Sequence, residues 1–240
     1  MEASVLGDLL PRDRRREQPA LIVPDGDREM SYRDFLTTAY KAGNVLRFLG
    51  VREGRVVAID PTPAPEPILA FLGAVQLGAQ ATFDPTADAR VRLVPAADEA
   101  EYAADDATKL SVYGGPPSAS TTVHWEQQVW SENPGFPATE VDPDSTVLCA
   151  DGAAYSHRDL LAAADDLVDA LALESDDRLA IRTPLSTPAA IVGLVAALAA
   201  EATAVLVGDS EQEVDADAAL VAAGVTAPES VSVSVESVSL

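Results

Sequence analysis

Few side chains in this sequence have the types and spacing that chemistry demands. Ser156-His157 with Asp151 supplies a nucleophile, a base and an acid, the set used in acyl transfer. Adjacent residues at a helix start point apart, however, and Ser156-x-x-Asp159 is a capping pattern, so the spacing favours a cap. Cys149 is the only cysteine, and His124 and His157 are the only histidines, too few for a conventional His/Cys metal site. The pairs Asp165-Asp166 and Asp176-Asp177 offer oxygens suited to a hard cation, but they fit a solvated face better. Gly114-Gly115 has the freedom to cradle a phosphate, although Pro116-Pro117 directly after it marks a turn. Trp125 and Trp130 have two readings: they line a pocket for a flat ligand, or they close a seam between subdomains.

The elements that would position these residues occur twice. Ser31-Tyr32-Arg33-Asp34-Phe35-Leu36 opens a helical pattern, followed by the apolar run Val56 to Ile59, a proline-rich turn, and the stretch Ile68 to Phe83. The same order returns as Ser156-His157-Arg158-Asp159-Leu160-Leu161, then Leu179 to Arg182, then Ile191 to Leu206. Each copy predicts a capped helix, a strand, a turn, a buried helix and a strand, which is an α/β crossover unit. The expected fold is therefore α/β, with two related subdomains of mostly parallel sheets flanked by helices. The first covers residues 1–135 and the second residues 136–240 with an acidic extension.

Finer expectations follow from local pattern. Ala20 to Val23 and Arg28 to Met30 predict a hairpin around Asp25-Gly26. The prolines at 61, 63, 65 and 67 are expected to delay the next helix until Ile68. Strands are predicted at Val91 to Pro95 and Leu110 to Tyr113 with an acidic helix between them. Residues 114–144, rich in proline, serine and glycine, read as a linker. A helix is expected around Ala216 to Ala223. The alternating end, Val231 to Leu240, reads as a period-two strand, at a sheet edge or fraying.

Composition bounds what the chain does. With 240 residues, 48% of them hydrophobic, a sizeable core is possible. The net charge of -23, from 39 acidic and 16 basic residues, argues against nucleic acid or an anionic membrane as partner. Acid spread through the helices, with Lys41 and Lys109 as the only lysines, is the usual appearance of proteins that stay soluble in concentrated salt. At molar salt the Debye length falls to roughly 3 Å, which screens such self-repulsion. A single cysteine and the acidic, short start from Met1 to Leu10 point to a reducing, cytoplasmic setting. The most apolar run, Pro188 to Ala200, is too short to span a membrane, which takes about 20 residues.

Read in order, Pro19-Ala20-Leu21-Ile22, Ser31-Tyr32-Arg33-Asp34-Phe35, Gly50-Val51-Arg52-Glu53-Gly54-Arg55-Val56-Val57-Ala58-Ile59 and Leu72-Gly73-Ala74-Val75-Gln76-Leu77-Gly78-Ala79 resemble the opening of the adenylate-forming superfamily. That superfamily includes acyl-CoA synthetases, nonribosomal adenylation domains and luciferases. The resemblance resumes at Val141 to Leu148 and covers about the first half of a family member. It implies a large domain built from two related α/β subdomains.

The resemblance also shows what has changed. Family members follow this strand with a loop of the pattern S-G-T-T-G-x-P-K-G, whose glycines let the backbone approach a triphosphate and whose lysine offsets its charge. Here the segment is Cys149-Ala150-Asp151-Gly152-Ala153-Ala154-Tyr155-Ser156-His157, with no lysine. Asp151 brings negative charge to that place; two like charges about 4 Å apart repel by roughly 1 kcal/mol in water and roughly 4 kcal/mol at an effective dielectric of 20. Thr183 to Pro188 lacks the aromatic or histidine residue that lines the family's acyl pocket. The downstream adenine and ribose motifs and the small domain with its catalytic lysine have no counterpart.

The resemblance thus implies a truncated, non-catalytic relative acting as a binding, regulatory or assembly module. No catalytic or metal-binding residue is assigned, no cofactor is expected, and Asp151, Gly152 and Ser156 are the remnant ligand-binding positions. The expected partner is a second copy in a homodimer, or a second protein subunit. The alternative is one half of a split acyl-CoA synthetase completed by another subunit, which would use ATP or AMP and magnesium.

Overall fold

The computed structural model describes residues 3–102, 107–135, 139–208 and 212–238. β1 (Pro19–Val23) and β2 (Arg28–Ser31) form the first hairpin, and the Ser31 hydroxyl accepts the Asp34 N–H to open α1 (Tyr32–Phe48). β3 (Val56–Ile59) leads into α2 (Pro65–Val75), which begins one turn earlier than expected. The first N–H groups of a helix have no intrahelical acceptor, and the fixed φ of proline suits that turn. Pro65 and Pro67 therefore open the helix instead of delaying it.

β4 (Gln80–Thr82), β5 (Val91–Pro95), β6 (Lys109–Tyr113) and β7 (Val123–His124) follow. The acidic helix expected between β5 and β6 is a 3-10 turn, Ala96–Glu101. The stretch read as a linker contains a helix of its own, α3 (Trp125–Ser131), docked on α1. Lys41 Nζ donates to the Trp130 carbonyl at 3.3 Å, and Asn44 Nδ2 donates to the carbonyls of Asn133 and Gly135 at 2.8 and 2.9 Å. Trp125 is buried in the core while Trp130 is 84% exposed, so the two do not close a seam together.

β8 (Thr146–Ala150), β9 (Ala153–Ser156), α4 (His157–Leu171), β10 (Arg178–Arg182), α5 (Pro188–Ala199) and β11 (Thr203–Leu206) repeat the order from β1 to β4. After them come β12 (Ala218–Val221) and β13 (Val231–Ser234). The helix expected over 216–223 is thus a strand. All four of its residues are buried in parallel register with β10, and tertiary burial outweighs the helical preference of alanine. The alternating end gives the edge strand β13 and then a 3-10 turn, Val235–Ser237. Residues 239–240 lie outside the described residues.

The strands form two mostly parallel sheets. One runs β13-β12-β10-β11-β1-β2 and the other β7-β6-β5-β3-β4-β8-β9. They are not assembled repeat by repeat. The hairpin β1–β2 extends the sheet of the second repeat through β11, with Leu21 opposite Ala204. The hairpin β8–β9 extends the sheet of the first through β4, with Ala81 opposite Leu148.

A shared core of residues from both repeats lies under these sheets, and every residue of α2 is buried. Gly73 lets α2 lie against α1: a Cβ there would stand 2.7 Å from the backbone nitrogen of Gly43. Among the described residues, no helix is long and apolar enough to cross a membrane.

The two repeats solve the end of their buried helix differently. After α2, Gly78 takes a left-handed conformation at φ +64°. After α5 the residue in the same role is Glu201, at φ 59°, where a side chain is strained. Glu201 bonds to the N-terminal arginines, pairing with Arg14 Nε at 3.2 Å and with Arg16 Nη1. Arg16 also stacks 4.1 Å above the Tyr32 ring and donates to the Glu201 carbonyl at 2.6 Å. Glu201→Ala keeps the strain and loses the ion pairs; Glu201→Gly loses the ion pairs but relieves the strain. Thermal unfolding should place the glycine variant about 1 kcal/mol above the alanine variant.

Candidate functional site

The carboxyl ends of β4 and β8 lie at a position where α/β sheets commonly bind ligands. A cleft of about 620 Å³ opens there. Thr82, Phe83 and Asp84 approach from β4, Cys149 to Ala154 from the second hairpin, and Ser186 from the turn before α5.

The hairpin defines this cleft. Ala150 pairs with Ala153, leaving only Asp151-Gly152 as the connection. Both have positive φ, 53° and 77°, which is the type I′ turn that Asp-Gly favours and that matches the twist of the strands it joins. A two-residue turn has no spare N–H groups to wrap around a triphosphate, and its strands are already zipped together up to the turn.

The electrostatics of the cleft run the same way. Among the described residues its lining contains Asp84 and Asp151 and no lysine, arginine or histidine. Hydrogen bonds from the Thr86 hydroxyl and backbone hold the Asp84 carboxyl below its ordinary pKa, so it is ionised at neutral pH. Burial raises the Cys149 thiol, whose sulfur lies 3.8 Å from Gln80 Oε1, so it is a poor nucleophile.

Two of the three remnant positions, Asp151 and Gly152, line the cleft. Ser156 is not among the lining residues. Its hydroxyl accepts the Asp159 N–H at 3.1 Å, while Asp159 Oδ2 accepts the Ser156 N–H at 2.8 Å, a reciprocal cap on α4. The neighbouring His157 points into the core. It is 1% exposed and accepts the Leu6 N–H on Nδ1 at 3.2 Å, so serine, histidine and aspartate are not assembled into a triad. Sequence reasoning had no signal for the role of His157, because its partner lies 151 residues away.

No protein-family model matches this sequence, and no curated protein resembles it in sequence. Solved structures do match. The chain is similar to the anthranilate CoA ligase AuaEII in complex with anthranoyl-AMP (TM-score 0.79, 22% identity, 91% of this chain and 49% of that one). It is similar to a fatty acyl CoA synthetase of Mycobacterium tuberculosis (TM-score 0.66, 21% identity, 91% and 49%). A third match is ATP-bound MatB from Rhodopseudomonas palustris (TM-score 0.74, 16% identity, 91% and 49%). The chain spans about half the length of these structures. At such identities the likeness speaks for architecture alone: this chain has the α/β fold of the N-terminal part of the adenylate-forming enzymes.

Proposed function

We propose that this chain is a non-catalytic relative of acyl-CoA synthetase-type enzymes that serves as a binding, regulatory or assembly module. The observation that carries this reading is the Asp151-Gly152 turn. Where adenylation needs a glycine-rich loop and a cation, the chain has two residues and a carboxylate. The loop's place lies within this fold, so a separate subunit supplying downstream motifs would not restore it; this favours the module over the split-enzyme alternative.

A module needs something to bind, and a second protein copy or subunit is the partner this reading implies. Phe48 on α1 and Trp130 on α3 are large apolar side chains, 77% and 84% exposed, on elements that pack together. Sedimentation is expected to show a dimer or a complex, and a compact monomer at all concentrations would count against the partner.

Calorimetric titration with ATP and AMP, from low to molar KCl, tests the non-catalytic reading. Filling the cleft with Ala154→Trp should leave any nucleotide response unchanged. Saturable ATP binding that this substitution abolishes would overturn the proposal.

A further inference from the structure

A second cleft, of about 600 Å³, lies at the opposite end of the seven-stranded sheet, where β3 and β5 begin. Its character is the reverse of the first. Arg52, Arg55 and Arg90 line it, and among the described residues Asp88 is the one acidic side chain in the lining.

Arg90 is fixed in place. Its Nε donates to the Leu49 carbonyl at the end of α1 at 2.9 Å, and its Nη1 to the Ala107 carbonyl at 3.0 Å. The guanidinium lies across Gly50, where a Cβ would stand 2.7 Å from Nε and 2.8 Å from Nη2. Only glycine, at φ +92°, allows both the turn and this packing. Capping a helix end explains Arg90 by itself. It does not explain why Arg52 and Arg55, from the turn between α1 and β3, converge on the same cleft while Glu53 between them packs over Gly78.

Seven of the eleven other arginines pair with a carboxylate, and Arg12 and Arg92 instead lie over tyrosine rings and donate to backbone carbonyls. Arg14 and Arg16 pair with Glu201, Arg28 with Glu66, Arg33 with Glu17, Arg158 with Asp144, Arg178 with Asp215 and Arg182 with Glu229. With 39 acidic residues against 16 basic ones, pairing is easy to arrange. Arg52, Arg55 and Arg90 have no such partner among the described residues. Three guanidiniums in one cleft repel one another unless an anion joins them, and the arginine fork matches phosphate and carboxylate oxygens in pairs.

We propose that this cleft binds a small polyanion, a metabolite carrying at least two phosphate or carboxylate groups. Arg90 is the pre-set anchor, and Arg52 and Arg55 close on the ligand from the turn. This site is separate from the degenerate nucleotide cleft and does not depend on the function proposed for it.

The test is calorimetric titration with pyrophosphate and with citrate, at the lowest KCl concentration at which circular dichroism reports the native fold. Wild-type protein should bind at least one of them saturably, and more weakly as KCl rises. The double variant Arg52→Gln/Arg55→Gln, on exposed positions, should keep its melting temperature without anion and bind about tenfold more weakly or worse. Binding of pyrophosphate alone identifies a phosphorylated ligand, and binding of citrate identifies carboxylates. No saturable binding by either, or binding undiminished in the double variant, would overturn the proposal. The same variant separates the two clefts: ATP binding lost in it belongs here, whereas ATP binding lost with Ala154→Trp belongs to the Asp151-Gly152 turn.

Discussion

Glu229→Ala is expected to destabilise the protein by about 3–5 kcal/mol, the largest single effect outside the hydrophobic core. Glu229 and Arg182, at the end of β10, have side chains 2% and 0% exposed. They meet as a fork, with Arg182 Nε 3.0 Å from Oε2 and Nη2 2.6 Å from Oε1, while Nη1 donates to the Gln212 carbonyl at 2.9 Å. Removing the carboxylate takes the Glu229 counter-charge away from a guanidinium in a place water does not reach. The pair as a whole is a different matter, because its mutual attraction is set against the desolvation of both ions. Arg182→Met with Glu229→Leu should therefore recover most of the loss. Chemical denaturation of the two single variants and the double variant gives the coupling. Additive single losses in the double variant would show that the pair does not act as a unit.

Lowering the pH from neutrality should destabilise the protein in two separate pH windows, the first of them set by His157. Burial pushes its pKa from 6.5 down to about 4, against the opposing pull of Asp8 and Asp142. Geometry gives the same sign. Nδ1 accepts the Leu6 N–H and so cannot carry a proton, and Nε2 is buried without a hydrogen-bond partner. The folded state thus holds the ring neutral, while the unfolded chain takes up a proton near the ordinary value. Its contribution is complete above about pH 6.5 and shrinks as the pH falls to about 4, by about 3 kcal/mol. Carboxylates held low by hydrogen bonds, such as Asp159 by the Ser156 N–H and hydroxyl, lose their contribution only below their ordinary range. His157→Gln should flatten the stability profile between pH 6.5 and 4 whatever it costs at neutrality. A profile unchanged in that window would show that another group sets it.

Much of the fold is legible in the sequence because it is locally encoded. Ser31 and Ser156 announce their helices, Asp151-Gly152 announces its turn, and α1 shows its apolar face at helical spacing. The errors fall where distant contacts decide. The alanines of β12 look helical until β10 supplies a ladder, and the segment around Trp125 looks like a linker until α1 supplies a surface. The Asp151-Gly152 connection was legible as a turn dipeptide, and the absence of lysine from residues 149–157 is visible in one dimension. The arginine cleft was not: Arg52 and Arg55 lie far along the chain from Arg90, and only the sheet brings them together.

The exchanged hairpins also set the order of events as the chain is made. β1 leaves the ribosome well before its parallel partner β11, with Leu21 opposite Ala204. A parallel pair has no local turn to nucleate it, so closing that ladder waits on a loop of most of the chain. Until then the β1–β2 hairpin keeps one edge open, and a neighbouring nascent copy offers the same acceptor strand. Refolding should accordingly slow and lose yield as protein concentration rises, a kinetic liability written into the topology and not into any single residue.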